Sequence, residues 1–404
     1  MKKFMVVIIL AFSLVLSSCM NLQNENGIKG IDYEKAVEER KELHGVWLSY
    51  FEISSIVKGK SEAEYRESVV SILENLKNAR LNTLFYQVRC FSDALYNSEV
   101  FPTSRYIVEN EGDALEYDPF EIFIELSEEY DISVHAWVNP FRVSYSQDFS
   151  MLSDNNPAKV FYLNDEKTTN LLICDKGIFY NPLSSESRKL IIAGVKELIE
   201  NYRIKGVQFD DYFYPETEAL NDSELYEVYK NSGGELSIEE YRKESVSSLV
   251  SSVYSLIKSY DENISFGISP SANFKTNNNV YADVVKWCQE DGFIDYIMPQ
   301  IYFGFENETM PFKEIVEMWL DMEYSDSVSF YVGLAPYKTG ELDSNAGSGQ
   351  NEWVENSDIL LLQYKYLSEK SEFKGFSLYS YSYCFGENLT DNTIKEINGL
   401  TSML

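Results

Sequence analysis

Hydrophobic positions along this chain alternate between two periods. Short runs rich in Val, Ile, Phe and Tyr recur at residues 44–52, 82–89, 133–140, 206–211, 265–270, 295–303, 329–338 and 375–384. Short, nearly continuous apolar runs of this kind mark strands buried on both faces. Between them the apolar residues fall three and four apart. Val69, Val70, Ile72, Leu73 and Leu76 predict a helix over 61–80, with Ser61 as its cap. Leu190, Ile191, Val195, Leu198 and Ile199 predict another over 185–202, and Val246, Leu249, Val250, Val253 and Leu256 a long one over 238–260. Further helical patterns occupy 120–130, 280–290, 311–322, 358–368 and 392–400. Eight strands, each followed by a helix, predict an α/β fold, a (β/α)8 TIM barrel. No Pro/Gly-rich linker divides the chain after residue 43, so 43–404 reads as one barrel domain. The long connections, 141–184, 212–236 and 339–356, all follow strands and belong on the catalytic face of such a barrel. The last, with Gly340, Gly347 and Gly349, is expected to be a mobile loop.

The N-terminus follows a different pattern. Lys2 and Lys3 precede an apolar run from Phe4 to Leu16, too short for a comfortable membrane span, which ends in Leu16-Ser17-Ser18-Cys19. This predicts a lipoprotein signal peptide over 1–18, lipid on Cys19, and a polar tether over 19–42. The alternative is an ordinary secretory signal with an incidental cysteine. The lipid reading makes the membrane a partner and places the domain outside the cytoplasm.

A formal net charge of -31 argues against nucleic-acid binding through phosphate contacts. Cys90, Cys174, Cys288 and Cys384 are scattered without zinc-type spacing, and the only histidines are His44 and His135, so neither a metal site nor a cofactor is expected. Buried free thiols are the expected state of those cysteines. The 30 Tyr and 24 Phe serve core packing first, but tyrosines also suit sugar binding, where a ring covers C–H groups and the hydroxyl bonds polar ones.

The densest chemistry lies in Gly206-Val-Gln-Phe-Asp-Asp-Tyr-Phe-Tyr-Pro215. Adjacent carboxylates repel and resist desolvation, and a strand end tolerates the pair chiefly when it does chemistry. Strand alternation puts Gln208 and Asp210 on one face, and Asp211 joins them only because the chain turns there. Asp210 and Asp211 are the catalytic candidates. Arg89, Asp93, His135, Trp137, Asn139, Tyr212, Ser269, Gln300, Tyr302 and Tyr381 are the substrate-binding candidates, each at or just after a strand end. Tyr379, Tyr381 and Tyr383 share one parity and predict an aromatic platform on the eighth strand. Each signal has a plainer alternative: Arg89 neutralising a carboxylate, His135 packed in the core, the tyrosines as barrel filling.

These stretches together resemble the glycosyl hydrolase-like 10 family of exported bacterial proteins. The matching segments are His44-Gly-Val-Trp-Leu48, Gln87-Val-Arg89, Asp93-Ala-Leu-Tyr96, His135-Ala-Trp-Val-Asn-Pro140, Asn181-Pro182, Gly206 to Pro215, Phe266-Gly-Ile-Ser-Pro270 and Asp295-Tyr-Ile-Met-Pro-Gln-Ile-Tyr302. They run in order from about residue 43 onward. The resemblance implies a barrel with glycosidase-like activity on a cell-wall or surface polysaccharide, peptidoglycan glycan strands included. Cys90 departs from the pattern, which favours proline after Arg89.

Most glycoside hydrolases use two separated carboxylates. Adjacent ones suit attack by the sugar's own N-acetyl oxygen, with Asp210 orienting the acetamido group and Asp211 as general acid. On this reading Tyr302 holds the acetamido oxygen, and Gln300 and Asn139 hold hydroxyls. The runner-up mechanism pairs one aspartate with Glu52, Asp93 or Glu216. The competing function is a non-catalytic glycan-binding lipoprotein. Oligomeric state is not legible in the sequence.

Overall fold

The computed structural model describes residues 42–164, 167–217 and 220–404. The signal, Cys19 and all of the tether but its last residue lie outside the described residues.

Eleven strands form in chain order: β1 (Leu43–Leu48), β2 (Thr83–Arg89), β3 (Ser133–Val138), β4 (Arg142–Ser144), β5 (Leu171–Cys174), β6 (Gly177–Tyr180), β7 (Gly206–Phe209), β8 (Ser265–Ile268), β9 (Tyr296–Ile297), β10 (Ser329–Leu334) and β11 (Phe373–Leu378). Eight of them close into a parallel barrel in the order β1, β2, β3, β7, β8, β9, β10, β11, with β11 pairing back onto β1. This is the (β/α)8 barrel that the pattern predicts. The other three, β4, β6 and β5, make a small antiparallel sheet inside the long connection after β3.

Local sequence explains the helices around the barrel. Ser61 and Glu64 form a reciprocal capping box that starts the helix Glu62–Asn78, and Ser237 with Glu240 does the same for Ile238–Tyr260. Each satisfies two backbone donors that a helix start leaves orphaned. The apolar stripes of these helices pack on the outward faces of the strands in one continuous core.

Several strands end sooner than the apolar runs suggest. The 44–52 run stops at Leu48, and the helix Tyr50–Val57 begins with Glu52 accepting from the Ser49 N–H. The continuous ladder of 295–303 covers only Tyr296 and Ile297; Pro299, with no N–H to give, interrupts it, and Gln300 adds isolated bridges to Ser271 and Gly333. The 329–338 run gives way to a turn of 3₁₀ helix at Pro336–Lys338. The eighth strand starts at Phe373 and ends at Leu378, and Tyr381–Phe385 is helical. Tyr379, Tyr381 and Tyr383 therefore do not form one strand stripe. In each case apolar residues that roof the barrel top look like more strand.

The barrel interior is filled by side chains. Trp47, Phe85, Trp137, Tyr296 and Met298 cluster there, with Leu43, Tyr331 and Tyr379 against them. Gln208 sits among them, accepting from Trp47 Nε1 at 2.6 Å. Gly206 leaves room for the His135 ring, since a Cβ at this position would lie 2.3 Å from His135 Nδ1.

The glycine-bearing connection 339–356 is pinned rather than loose. Glu352 is buried and accepts from the N–H groups of Phe305 (2.7 Å) and Glu306 (2.9 Å). Lys338 pairs with Asp343 at 2.5 Å. Gly349 lies so close to the 306 backbone that a Cβ would meet Glu306 O at 2.0 Å. Its glycines serve close approach, a use that composition does not distinguish from mobility. The four cysteines after residue 42 are buried and free.

Candidate active site

Where β7 ends, the chain turns across the barrel mouth. Asp210 is 4% exposed. Its Oδ2 accepts from Trp137 Nε1 at 2.9 Å, and its Oδ1 from the Tyr212 N–H at 3.2 Å. Asp211 is less buried and is reached by the Gln300 carboxamide, which also donates to the Ser269 carbonyl at 2.9 Å. The turn thus brings both carboxylates to one mouth despite their opposite strand parity.

Burial raises Asp210 to about 7, and the Asp211 charge adds to it; Arg142, the Trp137 indole and the Tyr212 N–H pull the other way. Burial raises Asp211 as well, against its backbone contact, Gln300 and Arg142. Near neutrality, two carboxylates so placed share a proton.

Aromatic rings line the floor and one wall. Tyr379 lies 6.0 Å from Trp47 and 6.2 Å from Trp137, centroid to centroid. Tyr302 stacks on Tyr379 at 5.9 Å, with Tyr337 edge-on at 5.8 Å. The exposed ring of Tyr383 extends this wall outward from Tyr337. On the other side the Arg142 guanidinium lies 3.9 Å from the Tyr212 ring centroid and donates to Tyr145 Oη at 2.8 Å.

Trp137, Tyr212, Gln300 and Tyr302 thus surround the aspartate pair. Asn139 is buried at the strand end above Trp137; its Oδ1 accepts from Gln87 Nε2, and its Nδ2 has no partner. Ser269 is also buried with an unpartnered Oγ. Four expected residues lie elsewhere. His135 sits one layer deeper, against Phe85 and Tyr296, and burial lowers it to about 4. A register shift between Gln87 and Arg89 turns Arg89 out of the barrel, where it donates to Pro140 O (2.7 Å) and lies over the Phe101 ring. Asp93 lines a separate cavity beyond β2. Tyr381 accepts from Asn75 Nδ2 and packs on Phe385, as its helical setting dictates.

Two of the runner-up carboxylates, Glu52 and Glu216, are also engaged elsewhere. Glu52 accepts from Ser49 N, Ser380 Oγ and Ser382 N, and Glu216 is exposed beside Asn279. Arg142 is an addition that the sequence analysis did not single out, and Gln208 and Tyr337 join the site though neither was among the binding candidates. Gln208 shares the parity of Asp210 and was legible; Arg142 comes from a long connection without periodicity.

Residues 42–354 match the sequence model of the family described as Glycosyl hydrolase-like 10. The chain is similar to glycosyl hydrolase DigH of Escherichia coli (strain K12), 27% identical over 373 aligned residues, with 83% of each chain covered. It is 29% identical to glycosyl hydrolase YngK of Bacillus subtilis (strain 168) over 336 residues, covering 78% of this chain and 64% of that relative. In structure it is similar to the PgaB (BpsB) glycoside hydrolase domain of Bordetella bronchiseptica, with a TM-score of 0.57 at 11% identity, covering 85% of this chain and 94% of that one. It is also similar to an alpha-L-fucosidase isoenzyme of Paenibacillus thiaminolyticus, with a TM-score of 0.53 at 11% identity, covering 90% and 49%. The two structures share its barrel fold.

Proposed function

The chain belongs to the glycosyl hydrolase-like 10 family and is a glycoside hydrolase, and from that premise we propose that it cuts an N-acetylated cell-wall glycan, peptidoglycan glycan strands, with help from the sugar's own acetamido group. The observation that carries this reading is the adjacency of Asp210 and Asp211 at one mouth, one deep and multiply hydrogen-bonded, the other nearer the opening and lightly held. Adjacent carboxylates leave no room for the separated pair that flanks a scissile bond in most glycosidases.

On binding, the acetamido N–H donates to Asp210, whose negative charge Trp137, the Tyr212 N–H and Arg142 already favour. The same event covers Asp211, so the shared proton passes to it. The acetamido oxygen then attacks the anomeric carbon while Asp211 gives its proton to the departing glycosidic oxygen. The bond breaks, leaving a cyclic intermediate between the acetamido group and the anomeric carbon. Water opens it, with Asp211 taking the water's proton and so regaining its own. Tyr302 and the unpartnered Asn139 Nδ2 supply hydrogen bonds to the sugar, and Tyr337 and Tyr379 give it apolar faces. Lipid on Cys19 would hold the enzyme at the extracytoplasmic membrane surface, next to such a substrate.

The test is mass spectrometry of products from purified peptidoglycan and from denuded glycan strands. Asp211→Asn should lower turnover by roughly 10²–10⁴-fold while strands still bind. Near-normal hydrolysis by that variant would remove Asp211 from the acid role. Strands de-N-acetylated at the cut site should stay whole; their cleavage would favour a conventional carboxylate pair.

A further inference from the structure

A second cavity, of about 210 Å³, opens beside the barrel mouth, between the chain after β2 and the connection that carries β4. Phe91, Asp93, Arg105, Tyr106, Glu111 and Tyr145 line it. It is joined to the aspartate pair through stacked groups. Tyr212 follows Asp211 directly, the Arg142 guanidinium lies against the Tyr212 ring, and the same guanidinium lies 4.6 Å from Tyr145 and 4.8 Å from Phe91.

Two acids in this wall differ in a telling way. Glu111 is fully engaged: it pairs with Arg105 and accepts from the Ser153 N–H and hydroxyl and from Asn156 Nδ2. Asp93 is 2% exposed, yet its Oδ1 has no partner in the protein. Buried polar atoms are paired as a rule, and leaving a carboxylate oxygen unpaired costs more than a neutral atom would. Burial raises Asp93 to about 7 and the Glu111 charge adds to it, while the Ser104 hydroxyl and the Arg105 and Arg89 charges oppose it. Phe91 and Tyr106 present stacked rings at 5.9 Å, and Tyr145 stands edge-on to Phe91.

Aromatic faces around one free buried acceptor match the chemistry of a sugar ring, C–H groups on the rings and a hydroxyl on the carboxylate. The volume falls below the roughly 300–1,000 Å³ of pockets that enclose drug-sized ligands, so it fits one ring and not a chain. We infer that this cavity is a second sugar subsite, which takes one pyranose of the same glycan on the Tyr212 side of the aspartate pair and binds it through Asp93. The inference rests on the glycan reading of the mouth and adds a specificity element: strands long enough to reach the cavity are the preferred substrates.

The test is kcat/KM for denuded strands of one, two, three and four disaccharide units. In the unaltered enzyme the value should step up about tenfold at the length that first fills the cavity. Asp93→Leu, which deletes the acceptor, should reduce the ratio of long to short strands by about tenfold. Ser146→Trp, at an exposed position on the rim, should reduce it likewise by closing the cavity, and keeps the test alive if the buried substitution fails to fold. Strands cut with no dependence on length, or variants that keep the full ratio, would overturn the subsite and leave the mouth's function standing. Failure to cut strands of any length would overturn both.

Discussion

Trp137→Phe isolates a single bond. The substitution keeps an aromatic ring on the barrel floor and deletes the Nε1–H that reaches Asp210 Oδ2 at 2.9 Å. A hydrogen bond to a charged group contributes about 1.5–3 kcal/mol, and one pH unit corresponds to about 1.36 kcal/mol, so the loss should raise the Asp210 titration by about 1–2 units. The sign follows from the donor: it lowers Asp210 by favouring the anion, so its removal raises it. In the proposed complex Asp210 is ionised and Asp211 protonated. The acidic limb of the kcat profile then reports Asp210 gaining a proton, and the alkaline limb reports Asp211 losing one. Both states across the alkaline limb carry ionised Asp210 and lose the bond equally. The assay is kcat at saturating denuded strands from pH 4 to 9, with thermal midpoints as a control for folding. The acidic limb should climb by about 1–2 units toward a fixed alkaline limb, narrowing the bell. A shift of the alkaline limb alone would reverse the roles of the two aspartates, and an unmoved profile would refute the tuning argument.

Two further outcomes concern the frame of the site. Burial lowers His135 from its ordinary value of about 6.5 to about 4, so its contribution to stability is complete above pH 6.5 and is lost as pH falls through 4. That difference is worth about 3 kcal/mol, and urea midpoints of His135→Gln should fall less steeply between pH 7 and 4 than those of the unaltered protein; equal slopes would contradict it. Glu352→Ala strips the Phe305 and Glu306 N–H groups of their acceptor, at a cost of about 1–3 kcal/mol. Limited proteolysis of this variant should cut first within 339–351, and cleavage elsewhere at the same rate as before would count against the pinning.

The barrel was legible because strand and helix periods differ, and because helices such as Ile238–Tyr260 carry their caps in the sequence. What misled the strand ends was aromatic content: Tyr302, Tyr337 and Tyr381 extend apolar runs past the last ladder bond. The core of the site was legible as far as strand parity reaches, which covers Asp210, Trp137 and Gln208. Parity failed for Arg89, where one irregular step between neighbouring strands reverses the direction of every side chain after it. Arg142 and the Asp93 cavity depend on how a long connection folds back, a non-local fact that leaves no period in the chain.

Glu52 joins the two ends of the barrel. It accepts from Ser49 after the first strand and from Ser380 and Ser382 after the last. The first strand therefore waits, from the start of synthesis, for a partner more than three hundred residues away. Until Phe373–Leu378 arrives, β1 and β10 are open edges, and Tyr379 is missing from the wall of the mouth. A chain cut after residue 354, where the family match ends, would keep both aspartates and still have neither a closed ring nor a complete site. Ring closure therefore needs the chain as far as Leu378, and the wall of the mouth needs Tyr379 beyond it.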